Sequence, residues 1–405
     1  MVRQQMEGAR IREAARAGIV NTYTRLTHAD RRAQPSRQSA PAVVPPATNF
    51  DPATWQPGQR QLVWHSPLNG YQSFGLVGRQ LLLAAERVGI DVRIAIPHAR
   101  SAFPEFARFF KPLDGAGRIG FSYEYQPRSS PLPAALTVIY TLSETTFVPG
   151  ERVDAINRAA TLLYVPCRQN LQSFGDSGVR VPIKVFHHGI DPARFPLLAR
   201  PRTGAEPFTF GCFGDLSPRK GVDVLIRAFG DEFAPHEPVR LWLKSWRFGG
   251  QLRIDDPRIE LHFGFWSHAQ LLMFLQQLDA FVLPSRGEGF GLCGLEAMAT
   301  GLPTIATNWS GPVEYLDPTD SFPLAYRLVD AVGTESNNRH YTGQWAEPDY
   351  EHLRFLLRWI YEHPEEAAQR GQLAAARVHG DWTWERVAWQ MRDDFDLLAR
   401  GVTPW

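Results

Sequence analysis

A chain of 405 residues is long enough for two domains with full cores, and its 43 basic and 42 acidic side chains leave a net charge of +1. That balance lacks the basic surplus of a nucleic-acid-binding surface, so no nucleic-acid partner is expected. The three cysteines, Cys167, Cys212 and Cys293, are too few and too far apart for a disulfide framework or a cysteine-rich metal site, and read as small buried hydrophobes.

Residues 1–32 mix Arg, Ala and Glu, with a helix expected over 6–19, and residues 34–52 carry Pro35, Pro41, Pro45, Pro46 and Pro52 in an extended linker. This extension, 1–55, reads as a basic arm making peripheral contact with anionic lipid or as a tail packed on the domain. No apolar run reaches bilayer length and the N-terminus lacks a signal-peptide core, so a soluble, cytoplasmic chain is expected.

Strand and helix signals then alternate. Strands are expected at 62–64, 92–96, 137–140, 161–165 and 183–186, with helices at 76–88 and 153–160. Between the first strand and the first helix, 65–75 reads as a loop in which Gly75, or Gly70, lets the backbone approach a ligand. That loop lacks a Gly-x-Gly-x-x-Gly turn, which argues against a dinucleotide-dependent oxidoreductase. A second series opens at 208–213 and continues through 239–243, 259–263 and 278–283. Two successive β-α-β series joined near 196–207 predict an α/β chain of two Rossmann-like doubly wound domains facing across a cleft.

Residues 284–307 carry the strongest signal. A short apolar strand ends at Pro284, Gly287, Gly289 and Gly291 shape a tight loop, a helix runs over 292–300, and 304–307 is the next strand. Free N–H groups at that helix start favour an anion such as phosphate. Glu288 in the loop and Glu296 about two turns along the helix stand at a Glu-x7-Glu spacing, and a carboxylate at either place accepts hydrogen bonds from sugar hydroxyls. Lys220 is one of only four lysines and stands just before Gly221 and a helix start, where an ammonium can meet a phosphate. The plainer alternative is an exposed basic residue at a loop tip.

The run Pro284-Ser285…Glu288-Gly-Phe-Gly-Leu292…Glu296-Ala-Met-Ala299…Gly301-Leu-Pro303 resembles the nucleotide-sugar signature of retaining glycosyltransferases of family four, which have the GT-B fold. The resemblance extends to 188–195, to 211–226 and to 381–386, whose helix crosses back to the first domain in that fold. It implies domains at 56–200 (acceptor side) and 201–380 (nucleotide-sugar side), with 381–405 returning to the first. It implies a donor site of Gly75, Gly214, Arg219, Lys220, Glu288, Gly289, Phe290, Gly291, Leu292 and Glu296, with Glu288, Lys220, Arg219 and Glu144 carrying catalysis. Glu288 would position the transferred sugar and Glu296 the ribose. The implied reaction is metal-independent transfer, with retention, from a nucleoside-diphosphate sugar to a glycan, lipid-linked or other hydroxyl acceptor, without any cofactor.

Two departures stand out. Asp215 follows Gly214 where relatives usually carry an arginine, and Arg219 is the candidate to supply that charge. The stretch 140–146 holds no histidine, which leaves Glu144 as the polar candidate, against a capping or solvated glutamate. His65, His187 and His188 read as structural loop residues. An inactive sugar-nucleotide binder or assembly partner, and a GT-B epimerase, are the alternative functions.

Overall fold

The computed structural model describes residues 61–66, 68, 73–94, 104–112, 119–132, 134–200, 206–246, 254–333 and 341–404. The helix expected at 6–19 and the linker at 34–52 lie outside the described residues, as does Gly70.

Continuous apolar runs make the two sheets. Strands β1 (Gln61–Trp64), β2 (Asp91–Ile94), β3 (Ile119–Tyr123), β4 (Leu136–Tyr140), β5 (Leu162–Val165) and β6 (Ile183–Val185) form a parallel sheet in the order β2-β1-β3-β4-β5-β6. Every residue of β3, β4 and β5 is buried, as expected of strands covered by helices on both faces. The covering helices are α1 (Ser73–Arg87), α2 (Gly150–Ala159) and α3 (Arg168–Asp176).

The second sheet contains β7 (Phe208–Phe213), β8 (Val239–Ser245), β9 (Ile259–Phe263), β10 (Ala280–Leu283), β11 (Thr304–Thr307) and β12 (Phe322–Leu324). These strands are again parallel, in the order β12-β11-β10-β7-β8-β9. Its direction of winding reverses between β7 and β10, and that of the first sheet between β1 and β3. Open α/β sheets bind ligands outside the carboxyl ends of the strands at such reversals. Helices α4 (Val222–Glu232), α5 (His268–Gln277), α6 (Leu292–Ala299), α7 (Tyr350–Glu362) and α8 (Pro364–Asp381) complete this domain, with an antiparallel hairpin of β13 (Tyr326–Asp330) and β14 (Gln344–Pro348).

The last helix, α9 (Trp384–Ala399), belongs to the first core. Trp384, Val387, Ala388, Met391, Phe395 and Leu398 pack with Leu62, Trp64 and Leu81. Buried Asp394 accepts hydrogen bonds from Tyr164 Oη (2.8 Å) and Lys184 Nζ (2.6 Å), a polar tie from α9 to β5 and β6. The crossing strand approaches so closely at Gly189 that a Cβ there would lie 2.4 Å from the backbone nitrogen of Trp384. The architecture is GT-B, with the C-terminal helix returning to the first domain.

Some local expectations are corrected. Helix α1 begins at Ser73, so Gly75 is a buried residue of its first turn and not part of a loop. Phe74 stacks on Tyr123 with ring centroids 4.7 Å apart, and this contact outweighs the poor helix propensity of glycine. Strand β3 was not anticipated, because Gly120 and Ser122 interrupt its apolar pattern.

Candidate functional site between the two sheets

The loop between β10 and α6 and the turn after β7 lie on either side of the winding reversal in the second sheet. Gly291, at φ 81°, caps α6 in a left-handed conformation and turns the first helical N–H groups, from Leu292 on, toward this edge. Gly287 has the first domain against it: a Cβ there would sit 2.0 Å from the carbonyl oxygen of Glu144. Gly289 likewise faces Leu142, whose Cδ2 would be 2.5 Å from an added Cβ. The glycines therefore serve a backbone-to-backbone approach between domains as well as the turn itself.

Four charges meet there. Lys220 Nζ lies 2.5 Å from Glu288 Oε1, and Ser285 Oγ donates to the same oxygen at 2.6 Å. Arg219 Nη1 stands 3.5 Å from Glu288 Oε2 and donates at 2.5 Å to the Gly287 carbonyl. Arg219 Nε is 3.1 Å from Glu144 Oε2, an ion pair lacking hydrogen-bond alignment. The chain Glu144–Arg219–Glu288–Lys220 thus runs from the first domain into the second. Burial works against ionisation of Glu288, but Lys220 and Arg219 outweigh it and hold its pKa below the usual value. Burial likewise disfavours the charged Lys220, and Glu288 reverses the effect and raises it. Lys220 is buried, with 9% of its surface exposed, so it is not an exposed loop-tip residue. Glu144 is part-buried and paired with Arg219.

Glu296 has a different environment. It is 5% exposed and faces a cavity of about 10 Å³ between the domains, together with Leu76, Gln80, Asp191, Arg194 and Leu292. Burial raises its pKa to about 8, opposed only by the charge of Arg194. That cavity is at the lower limit for one water.

The remaining expected residues are spread around this centre. Gly214, at φ 147°, ends β7 beside Lys220, whose Cε would be 3.5 Å from a Cβ there. The ring of Phe290 is buried among His188, Tyr315 and Trp382, with centroid distances of 4.9, 5.6 and 5.9 Å, leaving only its backbone for a ligand. Leu292 packs against the cores of both domains. Gly75 lies in α1 on the opposite side. His188 is buried, its pKa pushed down to about 3 by burial, and its Nε2 is 3.2 Å from Tyr123 Oη.

Ser310 and Arg286 were not anticipated. Ser310 has φ 60°, unusual for a side-chain-bearing residue; its Oγ donates to the Glu288 carbonyl (2.6 Å) and lies 3.1 Å from Gln169 Oε1 of the first domain. Nothing in Asn308-Trp-Ser-Gly-Pro312 signals that role. Arg286 forks to Asp223 at 2.8 Å through both terminal nitrogens and also pairs with Glu347, which ties the loop to α4 and β14. Across the cleft, Glu314 accepts from the backbone N–H of Arg168 (2.9 Å) and lies 3.2 Å from His187 Nε2.

Comparison with known proteins agrees with this picture. Residues 207–331 match the family described as glycosyl transferases group 1. Glycogen synthase of Mycobacterium tuberculosis is 30% identical over 227 residues, 54% of this chain and 49% of that one. The chain therefore spans about half the length of such curated relatives. Among solved structures, sucrose-phosphate synthase from Thermosynechococcus elongatus superposes with a TM-score of 0.60 at 16% identity, over 84% of this chain and 99% of that one. Anabaena HepE in complex with UDP and glucose gives a TM-score of 0.59 at 15% identity, over 83% and 99%. At these identities the structural likeness defines the fold.

Proposed function

We propose that this chain is a retaining glycosyltransferase that moves a sugar from a nucleoside-diphosphate sugar to a glycan, lipid-linked or other hydroxyl acceptor. One observation carries the reading: buried Lys220 and Glu288 and part-buried Arg219 converge at the amino end of α6, beside the reversal of the second sheet and against the first domain. The family match over 207–331 and the complex of HepE with UDP and glucose support the same ligand class.

In this reading the negative charge that grows on the departing diphosphate is stabilised by Lys220, Arg219 and the N–H groups of α6. No protein carboxylate has to act as a nucleophile if the acceptor oxygen attacks the anomeric carbon on the face from which the diphosphate departs, with the diphosphate taking the acceptor's proton. Glu288 orients the sugar ring, Glu296 the ribose, and Glu144 holds Arg219 from the acceptor side. These cations do the work a divalent ion performs in other transferases, so transfer is metal-independent. A cytoplasmic location, with the N-terminal extension touching an anionic membrane surface, belongs to the same proposal. Among the described residues no helix is long and apolar enough to cross a membrane.

The ion pairs also favour a second reading, an inactive sugar-nucleotide binder, because Glu288 and Glu144 already neutralise Lys220 and Arg219. A thermal-shift panel of sugar nucleotides followed by assay of nucleoside diphosphate release separates the two. A ligand at a hundred times its dissociation constant stabilises by about 2.7 kcal/mol. Stabilisation with release supports transfer, and stabilisation without release on any acceptor tried supports the binder. NMR of the product then reports the anomeric configuration.

A further inference from the structure

We infer that Lys244 is a third cation of the donor site and contacts the diphosphate of the sugar nucleotide. The inference rests on the transferase reading and names a residue which that reading leaves out. Its starting point is the charge of the site itself. Arg219 and Lys220 are matched by Glu144 and Glu288, so the four groups sum to zero. A diphosphate brought to this edge needs positive charge beyond the partial charge of the α6 amino end.

Lys244 supplies it from the neighbouring strand. In β8 it is the partner of Phe213, the last residue of β7, and its carbonyl accepts the Gly214 N–H at 3.0 Å. It therefore stands level with the turn that holds Lys220, at the carboxyl edge where this sheet type takes ligands. Along β8 it shares a face with Trp242, whose ring joins the same cluster as Phe213, Leu292 and Cys293. The ammonium lies 5.1 Å from the centroid of the Trp266 ring. Among the described residues no carboxylate lies within ion-pair distance of it.

Burial pushes its pKa down. A half-buried ammonium that, among the described residues, faces an aromatic ring and no carboxylate keeps donors for an incoming anion.

The test is titration calorimetry of the full chain with UDP, GDP, UMP, GMP, uridine and guanosine, on wild type, Lys244→Met and Lys244→Arg. Lys244→Met should weaken the diphosphate that wild type binds by about tenfold or more, the loss of one charge-assisted contact. Lys244→Arg should retain most of the affinity, the nucleoside should bind both variants as it binds wild type, and binding to Lys244→Met should depend less on salt. Circular dichroism melts of each variant check that the fold is intact. Unchanged diphosphate binding in Lys244→Met, or an equal loss for the bare nucleoside, overturns the inference alone. Wild type that binds no nucleoside diphosphate, ADP and dTDP included, overturns the transferase reading and this inference together.

Discussion

Glu288 and Glu296 stand eight positions apart in one motif, yet their surroundings have opposite effects. Glu288 sits in the glycine loop among two cations and a serine hydroxyl, and is held ionised despite burial. Glu296 lies on the buried face of α6 beside an almost filled cavity, with its pKa raised to about 8. A buried carboxylate with ion partners is set in place before any ligand arrives, whereas one without them waits for a hydroxyl. Sequence spacing makes the two look equivalent, and partners far away in the chain make them different.

The sharpest way to break the first environment is Lys220→Ala. It removes a charge-stabilising contact and leaves Glu288 partly unpaired, so turnover should fall by roughly a hundredfold. The melting temperature should fall too, because losing one partner of a buried ion pair is strongly destabilising. A rate constant equal to wild type, with an intact fold, would remove Lys220 from the site.

Gly287→Ala tests the approach of the two domains at that loop. The new Cβ would lie 2.0 Å from the Glu144 carbonyl, so the loop or the facing segment must shift. We expect transfer to slow by about tenfold or more, since misplacement of reacting groups by about 1 Å costs on that scale. Steady-state kinetics that match wild type would mean that the contact has no part in turnover.

The second environment gives the smallest effect and a definite sign. Between pH 4.5 and about 8 the folded chain keeps the Glu296 proton that the unfolded chain releases, so this residue's contribution to stability falls as pH rises through that window. Glu296→Gln has no proton to lose. Its melting temperature relative to wild type should therefore rise from pH 5 to pH 8 and then level off. A difference constant across the series would contradict the unpaired burial of Glu296.

The two halves of the chain were unequally legible. The run 278–307 announces strand, glycine loop, helix and strand because Gly291 and Gly301 adopt the left-handed backbone at the two ends of the helix, and the second sheet came out nearly as expected. Lys220 was legible too, because a rare lysine before a glycine and a helix start is unusual in this arginine-rich chain. The first domain was harder. Strand β3 escaped because Gly120 and Ser122 are buried small residues with no apolar signal, and the first turn of α1 is held by a tertiary stack of Phe74. Strand β12 contains Pro323, which argues against a strand except at a sheet edge, where it lies. The pairing of Glu144 with Arg219 and the bridging by Ser310 join residues far apart in sequence, and no local pattern encodes such meetings.

The division of labour between the two glutamates is the central claim, and calorimetry with both ligands on both variants tests it directly. Wild type, Glu288→Gln and Glu296→Gln are each titrated with the nucleoside diphosphate and with its sugar derivative. Losing a hydrogen-bond partner of a buried hydroxyl costs about 1–3 kcal/mol, so Glu296→Gln should weaken both ligands by similar factors. Glu288→Gln should leave the free diphosphate almost unchanged and weaken only the sugar nucleotide. If both variants lose the free diphosphate equally, the assignment of Glu288 to the sugar and Glu296 to the ribose is contradicted, and the pair serves to shape the loop.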